Sequence, residues 1–283
     1  MNAIEVTGLK KSYGSVHAVR GIDLRIATGE IFALLGPNGA GKTTTVEILA
    51  GFRTRDSGDV LVLGFDPCVR GHAARKWRNH LGIVLQSTSD SGDLTVIETI
   101  QHFSGYYSNP RNVDEVINAV GLDEKANSLI RKLSGGQRRR FDVALGIIGN
   151  PKLLFLDEPT TGFDPQARRA FWTVIKELRG NGATILLTTH YLDEAEALAD
   201  RVAVISDGLI LEISTPSELG GRSTSSALVS WRDGKVVNSQ ATDNPTAFVT
   251  QLSVEFNGEI PELTITRPSL EDIYLTMIGM VHE

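Results

Sequence analysis

Short apolar runs alternate along the chain with longer segments in which apolar and polar residues are mixed. The runs at 31–35, 153–156 and 183–189 are predominantly apolar, which is typical of strands buried on both faces of a sheet. The mixed segments at 165–179 and 192–199 each follow one of these runs and predict helices. Because strands alternate with helices, the sequence predicts an α/β fold with a largely parallel sheet.

The N-terminal part and the middle of the chain have different patterns. In the first thirty residues, short apolar stretches are separated by glycines and polar residues, which predicts an N-terminal antiparallel β portion. Residues 94–107 and 113–120 show the spacing of amphipathic helices, and a further helix is expected from just after Ser134 to Ile148. These helices predict a helical insertion over about 87–150.

The pattern changes again from Gly220 onward. Residues 220–226 are rich in glycine and serine and predict a linker. After it we expect two short strands around Asp233-Gly234, a helix near 246–256, a strand at 263–266 and a last helix that begins at Pro268-Ser269. The sequence therefore predicts a main domain over 1–220 and a small C-terminal α+β accessory region over 221–283.

Composition and charge narrow the possible functions. The chain has 283 residues and a net charge of -6, whereas general nucleic-acid binders tend to be basic, so no nucleic-acid partner is expected. The single cysteine, Cys68, cannot form an intrachain disulfide, which favours a reducing, intracellular setting. We find no apolar run of the roughly 20 residues that a membrane span needs and no secretory signal, so we expect a cytoplasmic protein.

A glycine-rich stretch follows the apolar run at 31–35 and leads into a predicted helix at 42–50. It has the P-loop spacing Gly36-x-x-x-x-Gly41-Lys42-Thr43. Glycines let backbone N–H groups approach a phosphate chain, and the helix N-terminus adds partial positive charge. We expect Lys42 to reach the β- and γ-phosphates and Thr43 to give its hydroxyl to Mg²⁺. The residues expected to bind nucleotide here are Gly36, Pro37, Asn38, Gly39, Ala40, Gly41, Lys42, Thr43 and Thr44.

Two acidic residues end the apolar run at 153–156. Asp157 lies at the C-terminal end of the predicted strand, the edge at which open α/β sheets bind ligands, and it suits an Mg²⁺-binding carboxylate. Glu158 follows directly and could orient and polarise an attacking water. Taken alone, an acidic turn after a core strand is the simpler interpretation, and the P-loop reverses that preference.

The sequence Leu133-Ser134-Gly135-Gly136-Gln137 opens a predicted helix and forms a second potential anion site. It is the signature sequence of the ATP-binding cassette (ABC) ATPases, and together with the P-loop and the Asp157-Glu158 pair it makes residues 1–215 resemble that family. The resemblance implies ATP as the nucleotide. It also implies that Ser134, Gly135, Gly136 and Gln137 bind the γ-phosphate held by a partner subunit, so the functional unit is expected to contain two cassettes.

The resemblance extends to four further positions. Gln86 ends an apolar strand, like the family glutamine that senses Mg²⁺ or water and relays to the membrane partner. Tyr13 lies where the family stacks an aromatic ring on adenine, and His190 lies where a switch histidine contacts the γ-phosphate. Asp164 is implied to contact the opposite subunit, although Phe163 replaces the commoner leucine beside it.

The resemblance also favours one branch of the family, on weaker signals than the core motifs. A single P-loop and the absence of a fused membrane span imply separate permease subunits and a homodimer of this chain. Segments 94–107 and 268–275 are similar to those of the drug-resistance branch of type-two ABC export systems. We therefore expect an ATPase that powers export of a drug, lipid or polysaccharide-like cargo from the inner face of the cell membrane. The alternative is a soluble, non-transport ABC ATPase acting in assembly or nucleic-acid metabolism.

Three consecutive arginines, at 138–140, follow the signature sequence. Such a cluster can indicate nucleic-acid binding. We favour exposed charge on a helix with some interface contact.

Overall fold

A computed structural model describes residues 1–85 and 93–279. The chain forms two compact units, Met1–Ile213 and Ser214–Glu283. The strands that begin in the first unit are β1 (Asn2–Tyr13), β2 (Val16–Ala27), β3 (Ile31–Leu35), β4 (Ser57–Val62), β5 (Leu81–Val84), β6 (Leu153–Asp157), β7 (Thr184–Thr189), β8 (Arg201–Ser206) and β9 (Leu209–Ser214). Its helices are α1 (Lys42–Leu49), α2 (His72–Arg78), α3 (Val96–Ser104), α4 (Val113–Ala119), α5 (Gly135–Ile147), α6 (Pro165–Gly180) and α7 (Leu192–Leu198).

A six-stranded sheet in the order β5-β6-β7-β3-β8-β9 forms the centre of the first unit. The first five of these strands pair in parallel, and every residue of β3, β6 and β7 is buried. This explains their apolar sequences and confirms the predicted α/β class. Leu35 pairs with Thr189, and Asp157 pairs with Thr188, so the C-terminal ends of β3, β6 and β7 meet at one edge. That edge positions the site.

A second sheet, in the order β2-β1-β4, is antiparallel, as predicted for the N-terminus. Apolar residues alternate along β1 and β2, and their buried members share one core cluster with α1. The sequence predicted two strands at 17–19 and 22–26, but β2 is continuous because register shifts in its pairing with β1 accommodate Gly21, whose φ is 105°. Strand β4 and helix α2 were not predicted.

Between β5 and β6, the described residues hold α3, α4, α5 and two 3₁₀ turns, Asp123–Lys125 and Ile130–Lys132. Helix α3 starts at a capping box formed by Thr95 and Glu98. The predicted helices are present, although each is one to several residues shorter than the pattern indicated. Helix α5 packs against β5, and a Cβ atom at Gly82 of β5 would lie 2.1 Å from the carbonyl oxygen of Gly146.

The second unit has its own small sheet and two helices. Its elements are β10 (Ala227–Asp233), β11 (Val236–Thr242), β12 (Thr264–Thr266), α8 (Pro245–Glu255) and α9 (Leu270–Gly279). The strands pair antiparallel in the order β11-β10-β12. The segment predicted as a linker, 220–226, overlaps two short 3₁₀ turns within Leu219–Thr224, which are interrupted at Gly220 and Gly221, where φ is 57° and 71°. Gly220 packs closely on Ile273.

No helix among residues 1–85 and 93–279 combines the length and the apolar character that crossing a bilayer requires.

Candidate active site

The P-loop connects β3 to α1 and leaves the N-terminus of α1 open. Gly36 approaches β8 so closely that a Cβ atom there would lie 2.3 Å from the carbonyl oxygen of Ile205. Gly41, with φ at 101°, precedes the helix and supplies no side-chain cap. The first N–H groups of α1 therefore have no side-chain acceptor, and an anion is the natural partner for them.

The loop borders a cleft of ≈ 290 Å³. Its lining consists of Ala18, Asn38, Gly39, Gly41, Lys42, Thr43, Thr44 and Glu158. The remaining predicted loop residues are outside this lining: Gly36 and Ala40 are buried and Pro37 is half-buried. None of the signature residues is in this lining.

Lys42 is buried at the centre of the loop, with 5% of its surface exposed. Its ammonium group donates to the carbonyl oxygens of Gly36 at 2.8 Å and Pro37 at 3.1 Å. It also lies 3.5 Å from Oε1 of Glu158. The loop thus holds a positive charge within reach of any phosphate that enters the cleft.

Asp157 ends β6, and its carboxylate accepts hydrogen bonds from two hydroxyl groups of neighbouring elements. Thr43 Oγ1 donates to its Oδ2 at 3.0 Å, and Thr188 Oγ1 donates to its Oδ1. Carboxylate and hydroxyl oxygens are the ligands that Mg²⁺ prefers, so the donor set of Thr43 and Asp157 fits that ion beside a nucleotide phosphate. Within the described residues no cluster of three or more His, Cys, Asp or Glu side chains could hold a metal alone.

Glu158 is held in an unusual backbone conformation. Its φ of 47° lies in the left-handed region, which costs a non-glycine residue about 1–3 kcal/mol. Its N–H donates to the carbonyl and hydroxyl oxygens of Thr188, at 3.1 and 3.0 Å. This backbone directs the carboxylate toward Lys42 and toward His190, whose Nδ1 lies 3.4 Å from Oε1. Lys42, Glu158 and His190 therefore form one cluster, as the sequence analysis placed them.

The signature residues lie at the start of α5, where Ser134 is the N-cap. The N–H of Gln137 donates to Ser134 Oγ at 3.3 Å, and the N–H of Ser134 donates to Gln137 Oε1 at 3.0 Å. Ser134 and Gly135 are exposed. This helix end is capped by its own side chains and faces solvent, outside the cleft.

The other predicted residues are more scattered. Asp164 is exposed and caps α6 by accepting from the N–H of Ala167 at 2.8 Å. Tyr13 ends β1 with its ring 5.2 Å from the guanidinium carbon of Arg53, and it is not part of the cleft lining. Phe163 is buried edge-on against Phe171. Gln86 lies outside the described residues.

Arg139 has a structural role that its sequence pattern did not predict. We predicted exposed charge for the arginine cluster, but Arg139 is buried, and burial lowers the pKa of its guanidinium while nearby Asp142 and Asp157 oppose that shift. It donates to the backbone carbonyls at the ends of β5 and β6. Successive helix residues differ by about 100° in direction, so three in a row span about 200° of the helix and their spacing alone did not indicate which of them faces the core.

Glu194 is a second buried charge that the pattern did not reveal. It lies on the core-facing side of α7, and burial raises the pKa of its carboxyl group, while the nearby polar groups of Thr189, Thr160 and Trp172 oppose that rise. Thr160 follows β6, Thr189 ends β7 and Trp172 lies on α6. Glu194 therefore lies close to the segments that carry Glu158 and His190.

Comparisons with known proteins agree with this geometry. Residues 19–161 match the family described as ABC transporter. The chain is 36% identical to a Nod factor export ATP-binding protein I of Rhizobium sp. strain N33, covering 98% of this chain and 97% of the relative. It is 34% identical to the daunorubicin resistance ATP-binding protein DrrA3 of Streptomyces coeruleorubidus, over 98% and 96% of the two chains.

A solved structure extends the agreement to the fold. A dimeric ATP-binding cassette in a post-hydrolysis state, bound to ADP and Pi, superposes with a TM-score of 0.69 at 23% identity, covering 75% of this chain and 98% of that one. The matched family region holds the P-loop, the signature sequence and the Asp157-Glu158 pair. The chain therefore belongs to the ABC transporter family and is an ATP-binding subunit that hydrolyses ATP.

Proposed function

We propose that two copies of this chain close around two ATP molecules and power export through separate membrane subunits. One observation carries the two-copy arrangement. The P-loop cleft contains Lys42 and Glu158 but no signature residue, whereas the signature helix presents Ser134 to solvent. A second copy can supply the donors that each cleft lacks, so each nucleotide is shared between subunits.

The residues of the cleft suit attack of water on the γ-phosphate. In this mechanism Lys42 and the loop N–H groups stabilise negative charge on the phosphates. Glu158 orients and polarises the water, and His190 holds the γ-phosphate and the carboxylate in register. Ser134 of the partner subunit completes the site and excludes solvent when the subunits close. Differential affinity of ATP for the closed pair is the source of work.

Thr43 and Asp157 would hold the Mg²⁺ that accompanies ATP, with Gln86 as a further proposed ligand. Bound there, the ion would neutralise charge on the phosphate oxygens. Thr188 orients the Asp157 carboxylate from the opposite side. Tyr13 is proposed to stack on adenine and Asp164 to contact the opposite subunit.

An apolar groove supports a membrane partner for this chain. It has a volume of ≈ 470 Å³ and lies between β5 and the helices α3 and α5. Its apolar lining includes Phe52, Ile83, Phe103, Tyr107 and Leu145. Phe52 and Phe103 are 63% and 37% exposed, and exposed apolar side chains grouped in one groove are typical of a partner-binding surface. We propose that a permease segment binds here and places the ATPase at the inner face of the membrane.

Export is supported by two relatives, a Nod factor export protein and a daunorubicin resistance protein. Each of them matches nearly the whole of this chain. In this proposal residues 1–220 form the ATPase domain and 221–283 an accessory region. Co-purification tests the membrane assignment. Recovery of the tagged chain with an integral membrane protein supports it, and recovery with soluble partners alone would favour a non-transport ATPase.

The ATPase mechanism is tested by Glu158→Gln. The change removes the group that activates water but leaves the P-loop intact, so turnover should fall about a hundredfold or more. ATP binding should persist, and the variant should accumulate as an ATP-bound dimer in light-scattering measurements. Exposed Glu124 provides the matched control, because Glu124→Gln makes the same chemical change far from the cluster. Turnover near wild type in Glu158→Gln would refute the role of Glu158.

A further inference from the structure

Arg139 connects helix α5, which begins in the signature sequence, to the backbone of residues 157–159. It lies five positions after Ser134 on α5 and is 8% exposed. Its Nε donates to the carbonyl oxygen of Pro159 at 3.0 Å, and its Nη2 donates to those of Asp157 at 2.6 Å and Glu158 at 3.4 Å. Its Nη1 donates to the carbonyl oxygen of Leu85. One side chain thus holds four peptide groups from two strand ends.

These peptide groups determine where the Glu158 carboxylate points. Glu158 has a strained φ of 47°, and such a conformation persists only when the surrounding structure fixes it. Thr188 holds the N–H side of the residue, and Arg139 holds its carbonyl and the two carbonyls that flank it. A small shift of the guanidinium therefore changes the direction of the carboxylate.

The same helix begins at the residue that is proposed to meet the partner's nucleotide. Helix α5 spans 13 residues, and Ser134 and Arg139 are separated by about 7–8 Å along its axis. A helix segment of this length moves as a unit. Displacement of its N-terminus by a nucleotide in the partner subunit is thus transmitted to the carbonyls that Arg139 holds.

We propose that Arg139 is a positioning residue that couples ATP bound at the partner subunit to the direction of Glu158 in its own subunit. This inference rests on the shared-nucleotide arrangement proposed above. Only an arginine suits this position, because its planar group can donate to several fixed carbonyls at once, whereas a lysine ammonium is a point charge on a flexible chain.

The test is Arg139→Lys, with Arg140→Lys as the matched control. Arg140 is the next residue of α5 and also donates to carbonyls, those of Val120 and Gly121, which lie away from the cluster. Arg139→Lys should lower kcat about tenfold or more, since small misplacements of a catalytic group have effects of this size. ATP affinity should stay within about threefold of wild type because the P-loop is unchanged, and the Hill coefficient for ATP should fall toward one. Arg140→Lys should leave kcat and the Hill coefficient unchanged.

The outcomes separate this inference from the proposed function. If wild type shows no cooperative ATP hydrolysis, the shared-nucleotide arrangement is wrong. If wild type is cooperative and Arg139→Lys keeps its kcat and Hill coefficient, the arrangement survives and the role of Arg139 is overturned. A variant that loses ATP affinity in proportion to activity would also overturn it, because that result indicates a structural role.

A measurement on the wild-type chain applies even if Arg139→Lys does not fold. Hydrogen exchange is followed with and without Mg²⁺ and a non-hydrolysable ATP analogue. Coupling predicts that residues 157–160 and 137–141 gain protection together. Protection confined to the P-loop and 157–160, with 137–141 unchanged, would overturn the coupling.

Discussion

Two helix N-termini in this chain have similar glycine-rich sequences but opposite local structures. Helix α1 begins after Gly41, which is in the left-handed conformation and offers no cap. Helix α5 begins after Ser134, whose side chain forms a reciprocal capping box with Gln137. The sequence analysis treated both as anion sites of the same kind. The structure distinguishes an open helix end inside a cleft from a closed one on the surface.

The difference follows from what each helix end needs in the absence of a ligand. The open end of α1 leaves N–H groups for phosphate, and the nearby buried Lys42 is stabilised by two loop carbonyls and by Glu158. The capped end of α5 satisfies its own donor at Gln137. It retains the Ser134 hydroxyl proton and the N–H groups of Gly135 and Gly136 as donors. A closed end of this kind is stable while exposed, which suits a residue that acts on a partner's ligand.

The largest effect is expected from Ser134→Asp, which separates capping from ligand contact. Aspartate is as good an N-cap as serine, so the free energy of unfolding should stay within about 0.5 kcal/mol of wild type. Its carboxylate would repel a γ-phosphate, so steady-state turnover should fall about a hundredfold, as when a donor to a developing charge is lost. ATP binding to the monomer, measured by calorimetry, should be unchanged because the P-loop lies in the same chain.

Asn112→Asp is the control for this charge change. Asn112 caps α4 by accepting from the N–H groups of Asp114 and Glu115, and aspartate preserves that cap. Its turnover should equal that of wild type. If Ser134→Asp also turned over ATP at the wild-type rate, the closed helix end would be a stabilising cap and nothing more.

A smaller effect is expected from alanine at one glycine of each helix end. At Gly41 a Cβ would lie 2.3 Å from the carbonyl oxygen of Ala18, and φ is 101°. Gly41→Ala should therefore lower the free energy of unfolding by about 2 kcal/mol or more. Gly136 is helical and has nothing within 4 Å of a Cβ, so Gly136→Ala should raise it by about 0.5–1 kcal/mol. Urea unfolding measures both, and changes of the same sign would contradict the distinction.

The regular parts of the fold could be predicted because burial on both faces leaves a continuous apolar signal. Strands β3, β6 and β7 follow that signal closely, and the P-loop follows from its spacing. Helix α2 has only a weak apolar signal in its sequence, since Ala74 and Trp77 are its only buried residues. Its position depends on tertiary contacts of Trp77, which stacks on Phe65 at 5.4 Å and donates to the carbonyl oxygen of Val62.

The site shows the same limit at the level of side chains. Motif spacing placed Lys42 and Glu158 together, and the family resemblance added His190; the three meet because the strands before them end at one edge. The buried charges of Arg139 and Glu194 could not be inferred in this way, because Arg139 is paired with backbone carbonyls of distant strand ends and the polar neighbours of Glu194 come from several separate segments. Such groups have no characteristic pattern, and the fold alone brings them together.

The smallest effect is expected at a third helix N-terminus, that of α6. Its N-cap, Asp164, is proposed both to cap the helix and to contact the opposite subunit. The Asp164 side chain accepts a hydrogen bond from the N–H of Ala167, and Pro165 follows Asp164 as the first residue of α6. This helix end is therefore capped like that of α5. Asp164→Ala should cost about 1 kcal/mol in the free energy of unfolding, whereas Asp164→Asn retains the accepting oxygen and should cost less than about 0.5 kcal/mol. If Asp164 also contacts the opposite subunit through its charge, Asp164→Asn should slow turnover severalfold while its unfolding midpoint matches wild type. Equal turnover in Asp164→Asn and wild type would mean that Asp164 acts only as a helix cap. Of these two capping residues, Ser134 alone would then act across the dimer.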